Sequence, residues 1–207
     1  MAKWPISWEM RTSTEYPLQI DWISHVNFKG KIGLTLCPGK YQPISWTGGW
    51  NRDLNYDLDT ILENKVSTVI SLIDREEMIA LRVEEIGNMI SQKGMTWIHL
   101  PWEDTTAPDQ KWVDQFLSIL DSVTDMIVDG KTIVIHCKGG LGRAGTCAAL
   151  ILYALGLNMY WAIDLVRMRR SKECINPGQY VFLEGFKSYL ENNGLKLDRK
   201  NKPEVRL

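Results

Sequence analysis

Residues 131–157 read KTIVIH, then CKGGLGR, then AGTCAALILYALGL. The first block is a β-branched apolar run of strand length. It ends at Cys137, and three of the next five residues are glycine. Arg143 then opens an apolar stretch that is too short to cross a bilayer and reads as a buried helix. A buried strand, a glycine loop and a buried helix in immediate succession form a β–loop–α unit. Such units belong to sheets whose central strands are parallel. The loop therefore lies at the carboxyl end of a strand, where open α/β sheets place their ligands.

The rest of the chain fits that architecture. Strands are expected over 31–36, 66–73 and 95–100. Helices are expected over 51–64, 75–92 and 109–128, with Asp109 as N-cap, and over 158–170 and 177–192. Pro38-Gly39 stops the first strand, and 101–108 (PWEDTTAP) is a loop. The fold class is α/β, a central and largely parallel sheet flanked by helices. Residues 1–30 lack periodicity and carry Trp4, Trp8 and Trp22. They are expected to be an irregular N-terminal extension packed on the domain, which itself spans 31–193. Residues 194–207 form a charged tail.

Composition narrows the function classes. The 207 residues hold 24 Lys+Arg against 25 Asp+Glu, a formal charge of −1. No global basic field points to nucleic acid or a membrane. Residues 1–11 contain no apolar core of the kind a secretory signal needs. The four cysteines (Cys37, Cys137, Cys147, Cys174) form no CxxC pair, so neither a zinc site nor a disulfide framework is expected. The expected compartment is a reducing cytoplasm with free thiols.

The chemistry concentrates in 136–143, HCKGGLGR. Glycines let successive backbone N–H groups turn inward, and the following helix adds the partial positive charge of its N-terminus. Lys138, Gly139, Gly140, Leu141 and Gly142 thus build an anion cradle. Arg143 can grip two oxygens of a phosphoryl group as a fork. The same positive field favours a thiolate on Cys137. A thiolate beneath a bound phosphoryl group is placed for in-line attack on phosphorus.

HCxxGxxR, matched at His136, Cys137, Gly140 and Arg143, is the signature of the cysteine-dependent protein tyrosine phosphatase superfamily. Beyond the loop the chain resembles the superfamily's dual-specificity branch, and within it the cyclin-dependent kinase inhibitor 3-like group. HLPWEDTTAPD resembles that group's acid loop, and LCPGK at Cys37 and QY at Gln179 also match. The resemblance covers about 34–190. It implies a protein phosphatase acting on phosphotyrosine, with phosphoserine and phosphothreonine as further substrates, through a phosphocysteine intermediate. Cys137 would be nucleophile, Arg143 the phosphate ligand, and Asp104 the general acid and then base. His136 would hold the loop, and Gln179 would position the water. Neither cofactor nor metal is implied. The implied partner is a phosphorylated protein, with no nucleic acid and no membrane.

The chain departs from the pattern once. Ser or Thr usually follows the arginine and eases departure of the thiolate, and here the residue is Ala144. Slower breakdown of the phosphoenzyme is expected. Two other readings stay open at this stage. A phosphate-binding module with little turnover is favoured only by Ala144. A phosphatase of non-protein phosphates is disfavoured by a loop with Lys138 as its single lysine. Among neighbouring residues, Asp109 has a capping role and Glu103 is a rival to Asp104. Arg167, Arg169, Arg170 and Lys172 read as a solvated helix end, with steering of an acidic substrate as the alternative. Cys37 and Cys174 read as unremarkable thiols, with a protective disulfide to Cys137 as the alternative. Trp46 and Trp102 are candidates for the site's border.

Overall fold

The computed structural model describes residues 10–45 and 48–194. Its centre is a five-stranded sheet in the order β1-β2-β7-β5-β6, formed by β1 (Asp21–Ile23), β2 (Lys31–Thr35), β5 (Val66–Ser71), β6 (Thr96–His99) and β7 (Thr132–His136). β2, β7, β5 and β6 run parallel, and β1 pairs antiparallel with β2 along one edge. A small hairpin of β3 (Tyr41–Gln42) and β4 (Trp50–Asn51) stands apart from the sheet. The helices are α1 (Leu54–Glu63), α2 (Arg75–Ala80), α3 (Ile86–Gln92), α4 (Gln110–Val128), α5 (Gly142–Ala154), α6 (Met159–Arg169) and α7 (Pro177–Asn192). The expected α/β class with a mostly parallel sheet is what the chain forms.

Most elements follow from local chemistry. Asp53, Asp109, Asn158 and Asn176 each accept a backbone N–H through their side chain and start a helix. In α4 the buried positions Trp112, Val113, Phe116, Leu120, Val123 and Ile127 form one stripe. Helix α5 is different, because every residue from Arg143 to Tyr153 is buried. It runs through the middle of the domain against the sheet, α6 and α7. β7 is likewise apolar on both faces, as a central parallel strand must be.

Two expectations need correction. The segment 1–30 is not wholly irregular, since β1 belongs to the central sheet. Its register, Asp21 with Leu34 and Ile23 with Ile32, adds an edge too short to show a sequence period. The single helix expected over 75–92 is two. Arg82 takes a left-handed φ of 60°. Val83 N–H then donates to Met78 O, and Arg82 N–H to Ile79 O, which is the Schellman pattern. Met78, Leu81 and Val83 are all buried around this stop. The break escaped the sequence because an arginine holds a position usually given to glycine, stacked 3.7 Å from the Tyr41 ring centre. The packing of Trp4 and Trp8, the place of Trp46 and the tail beyond Gly194 lie outside the described residues.

Candidate active site

The sheet brings its three inner strand ends together at one point. Thr35 of β2 and Ser71 of β5 both lie in register with His136 of β7. Cys137 follows directly and is 3% exposed. The loop folds back over it, and Gly140 N–H donates to Cys137 Sγ at 3.2 Å. Gly140 has a φ of 70°, and a Cβ there would stand 2.2 Å from Thr35 O. Both the backbone angle and the close approach to β2 demand glycine.

The loop's carbonyls are held from outside. Arg170 donates to Gly140 O at 3.1 Å and Gly139 O at 3.3 Å, and is itself paired with Asp21 at 2.6 Å. Lys138 O accepts from Cys37 N–H at 3.3 Å and Lys40 Nζ at 3.4 Å. Tethering carbonyls outward turns the intervening N–H groups toward the concave side. The basic run read as a solvated helix end is thus partly structural. Arg170 pins the loop, and Arg167 donates to Cys174 O and Ile175 O, both at 3.1 Å.

Arg143 is fully buried. Its Nη1 donates to Leu72 O, Trp102 O and Glu77 Oε2, and its Nη2 to Glu77 Oε1. Asp104 Oδ1 lies 3.1 Å from Nη2. Nε is the one buried side-chain nitrogen or oxygen among the described residues without a hydrogen-bond partner. Burial pulls the guanidinium's pKa down. The hydrogen bonds it donates to Glu77, with the Cys137 and Asp104 charges, outweigh it and raise it above its ordinary value.

His136 is held beneath the loop by a buried chain of donors. Trp97 Nε1–H donates to Ser71 Oγ at 2.9 Å, and Ser71 Oγ lies 2.6 Å from His136 Nε2. His136 Nδ1 lies 3.4 Å from Cys137 O, and a carbonyl can only accept, so that contact puts the imidazole hydrogen on Nδ1. In the neutral ring Nε2 is then the acceptor, and the Ser71 hydroxyl donates to it. Burial, opposed by the Cys137 carbonyl and helped by the Arg143 and His99 charges, lowers His136 to about 4. The ring is neutral at pH 7.

Asp104 sits in the loop after β6, its side chain 47% exposed. The start of α7 clamps this loop. Asn176 Nδ2 donates to Thr105 O at 2.8 Å, and Gln179 Nε2 to Thr106 O at 3.0 Å. Gln179 Oε1 also closes the α7 capping box on Asn176 N–H, and a Cβ on Gly142 would meet that same oxygen at 2.9 Å. Gln179 thus lies between acid loop and glycine loop with its amide engaged on both ends. Trp102 and Trp112 pack edge to face behind the acid loop, and Trp112 Nε1–H is satisfied by Leu100 O at 2.9 Å.

Cys137, Lys138, Gly139, Leu141 and Gly142 open into a cleft of about 770 Å³ with Asp104 and Thr105 on one side and Lys40, Gln42, Ile44 and Ser45 on the other. Sequence reasoning did not single out Glu77, Ser71 or Asn176, and it met Lys40 and Arg170 only within the LCPGK match and the basic run. A signal existed for Glu77, because D-x-x-E at 74–77 spells a capping box. The four cysteines are all free and buried. Burial pushes Cys37 and Cys147 well above the ordinary thiol range, and Cys174 to about 11.

Over residues 49–156 the chain matches the family described as Tc-R-P, polymorphic toxin system, DSP-PTPase phosphatase. The chain belongs to the dual-specificity phosphatases of the protein tyrosine phosphatase superfamily. PRL-1 phosphatase of Drosophila melanogaster is 30% identical to it over 134 residues, 65% of this chain and 70% of that one. Cyclin-dependent kinase inhibitor 3 of Mus musculus is 28% identical over 179 residues, 84% of this chain and 81% of that one. The crystal structure of kinase associated phosphatase, with a serine in place of its catalytic site cysteine, superposes with a TM-score of 0.76 at 26% identity. That match covers 86% of this chain and 98% of the other. The chain is accordingly a cysteine-dependent protein phosphatase. No helix among the described residues is long and apolar enough to cross a membrane.

Proposed function

We propose that this phosphatase removes phosphoryl groups from protein side chains, phosphotyrosine first and phosphoserine or phosphothreonine with it, using Cys137, Arg143 and Asp104. Cys137 Sγ attacks phosphorus in line with the leaving oxygen. The S–P bond forms as the P–O bond breaks, and Asp104 gives its proton to the departing side-chain oxygen. Asp104 then takes a proton from water as the water attacks the phosphocysteine. The S–P bond breaks and inorganic phosphate leaves. Inward N–H groups of 138–143 and the Arg143 guanidinium, presented through its bare Nε, stabilise the equatorial oxygens in both steps.

The observation that carries this reading is the bare Nε of a buried arginine directly after a glycine cradle. A buried polar group without a partner costs about 1–3 kcal/mol, and a phosphoryl oxygen is the acceptor that removes that cost. His136, neutral and anchored through Ser71, keeps the loop's first residue fixed. Gln179 holds the acid loop beside the cradle, its amide bonded to Thr106 O and Asn176 N–H. The substrate partner is a phosphorylated protein. Four free thiols fit a reducing cytoplasm. Turnover of a phosphotyrosine peptide with EDTA present tests the proposal. Activity lost in Cys137→Ser and reduced ~10²-fold or more in Asp104→Ala is the expected result.

A further inference from the structure

Lys40 is a buried cation on the cleft wall that the two chemical steps do not use. The residue is 4% exposed. Its Nζ donates to Gln42 Oε1 and Lys138 O, both at 3.4 Å, the weak end of the hydrogen-bond range. The Trp50 ring centre lies 4.9 Å away. Among the described residues no carboxylate lies within ion-pair distance of it. Other buried cations of this protein are paired, Arg52 with Asp57 and Arg143 with Glu77. Burying an unpaired ammonium is costly. Burial, with Arg52 and Lys138 adding to it and Cys37 and Cys137 opposing it, pulls Lys40 to about 8.

The chain anchors the backbone that carries this ammonium. Gly39, at φ 71°, presses against Leu54, where a Cβ would stand 2.5 Å from Leu54 Cβ. Gly39 N–H donates to Asp57 Oδ2 at 2.8 Å, the carboxylate that Arg52 grips at 2.7 and 2.8 Å. Arg52 N–H donates to Lys40 O at 3.1 Å, and Tyr41 N–H to Leu81 O at 2.8 Å. Lys40 is therefore presented by a rigid loop. Its contact is with the Lys138 carbonyl, the side of the cradle away from the inward N–H groups. It flanks the phosphate position and does not sit inside it. Lys138 and the 85% exposed Ile44 stand on the same cleft.

We infer that Lys40 is a specificity-determining residue, which binds a second anionic group, a carboxylate or phosphoryl, on a residue flanking the phosphorylated one in a protein substrate. The inference rests on the phosphatase activity proposed for the same cleft. A charge-assisted bond in a partly dry cleft is worth about tenfold in kcat/KM.

The test compares phosphotyrosine peptides that differ at one flanking position, carrying Glu, phosphoserine or Gln there in turn. Each is assayed at pH 7 with wild type, Lys40→Met, Lys40→Arg and Lys138→Met. The expected result is an acid-to-amide kcat/KM ratio of ~10 in wild type and Lys40→Arg, and a ratio near 1 in Lys40→Met. The ratio is the readout because damage to the loop lowers all peptides together. A preference for Glu and phosphoserine alike marks charge as the recognised property, and one for phosphoserine alone narrows the subsite to phosphoryl groups. A wild-type ratio near 1, a preference intact in Lys40→Met, or one abolished only by Lys138→Met overturns the inference. Absence of turnover on every peptide by wild type overturns the phosphatase reading and the inference with it.

Discussion

Glu77 holds Arg143 with both carboxylate oxygens, Oε2 at 2.5 Å from Nη1 and Oε1 at 2.7 Å from Nη2. The same Oε2 accepts Asp74 N–H at 3.3 Å and so closes the capping box of α2. One carboxylate thereby couples the start of a short helix to the orientation of Arg143, the proposed phosphate ligand. Arg143 is inaccessible and the Glu77 side chain 17% exposed. Removing one partner of such a pair costs about 3–5 kcal/mol at full burial, and the part-exposed Glu77 places this case near the lower end. Glu77→Ala is expected to lower stability by about 3 kcal/mol and kcat/KM by at least tenfold, read by urea denaturation and para-nitrophenyl phosphate kinetics. Wild-type kinetics in a folded Glu77→Ala protein would show that Arg143 needs no such support.

Asn176 does two separable jobs. Its Oδ1 caps α7 by accepting Gln179 N–H at 3.0 Å, and its Nδ2 ties down Thr105 O, beside Asp104. Asn176→Asp keeps the cap and loses the donor. Its thermal midpoint is expected to stay near wild type, while kcat drops about tenfold with KM little changed. Asn176→Ala is expected to lose about 1 kcal/mol of stability as well. The kcat-to-KM split distinguishes positioning of Asp104 from general damage. An Asn176→Asp enzyme with unchanged kcat would remove the clamp from the account.

His136 gives the protein an acid-side weakness. Its pKa falls from 6.5 unfolded to about 4 folded. Between those values the unfolded chain binds the extra proton, so stability rises with pH through this window and is lost as pH falls from 6.5 toward 4. The full span corresponds to about 3 kcal/mol. Urea midpoints measured at pH 7 and pH 4.5 should show the loss in wild type, and His136→Gln should show a smaller slope. Equal slopes in the two proteins would assign the acid sensitivity elsewhere.

How much of this was legible in the sequence depended on whether one short window carried the cause. Asp109, Asn158 and Pro177 mark helix starts through local capping rules, and the β-branched runs of β5 and β7 declare buried strands. The cradle was legible because glycine spacing, cysteine and arginine stand within eight residues. What escaped depends on distant pairs. Glu77 meets Arg143 across 66 positions, Arg170 meets Asp21 across 149, and Lys40 meets Lys138 across 98. β1 is three residues long and gains its place only by pairing with β2. The stop at Arg82 depends on tertiary burial of Leu81 and Val83.

Under the proposed mechanism, Ala144 slows the second step. It is buried in the first turn of α5. The nearest hydroxyl in that helix, Thr146 Oγ1, is spent on Gly142 O at 2.9 Å. Neither Ala144 nor Thr146 therefore offers the hydroxyl that the family's pattern places after the arginine. Ala144→Ser is expected to raise steady-state kcat about tenfold, since one bond to a developing charge is worth about 1.5–3 kcal/mol. It should also shrink the pre-steady-state burst of para-nitrophenol. An Ala144→Ser enzyme with the wild-type burst and rate would place the slow step elsewhere.

In the proposed mechanism the phosphoryl group is transferred to Cys137 before it reaches water. Acid-quenching wild type within the first turnover on a phosphotyrosine peptide, followed by peptide mass spectrometry, tests it most directly. One phosphoryl group is expected on the peptide that contains Cys137, at higher occupancy in wild type than in Ala144→Ser and absent in Cys137→Ser. Hydrolysis that persists in Cys137→Ser, or a phosphoryl group trapped on any other residue, would contradict it.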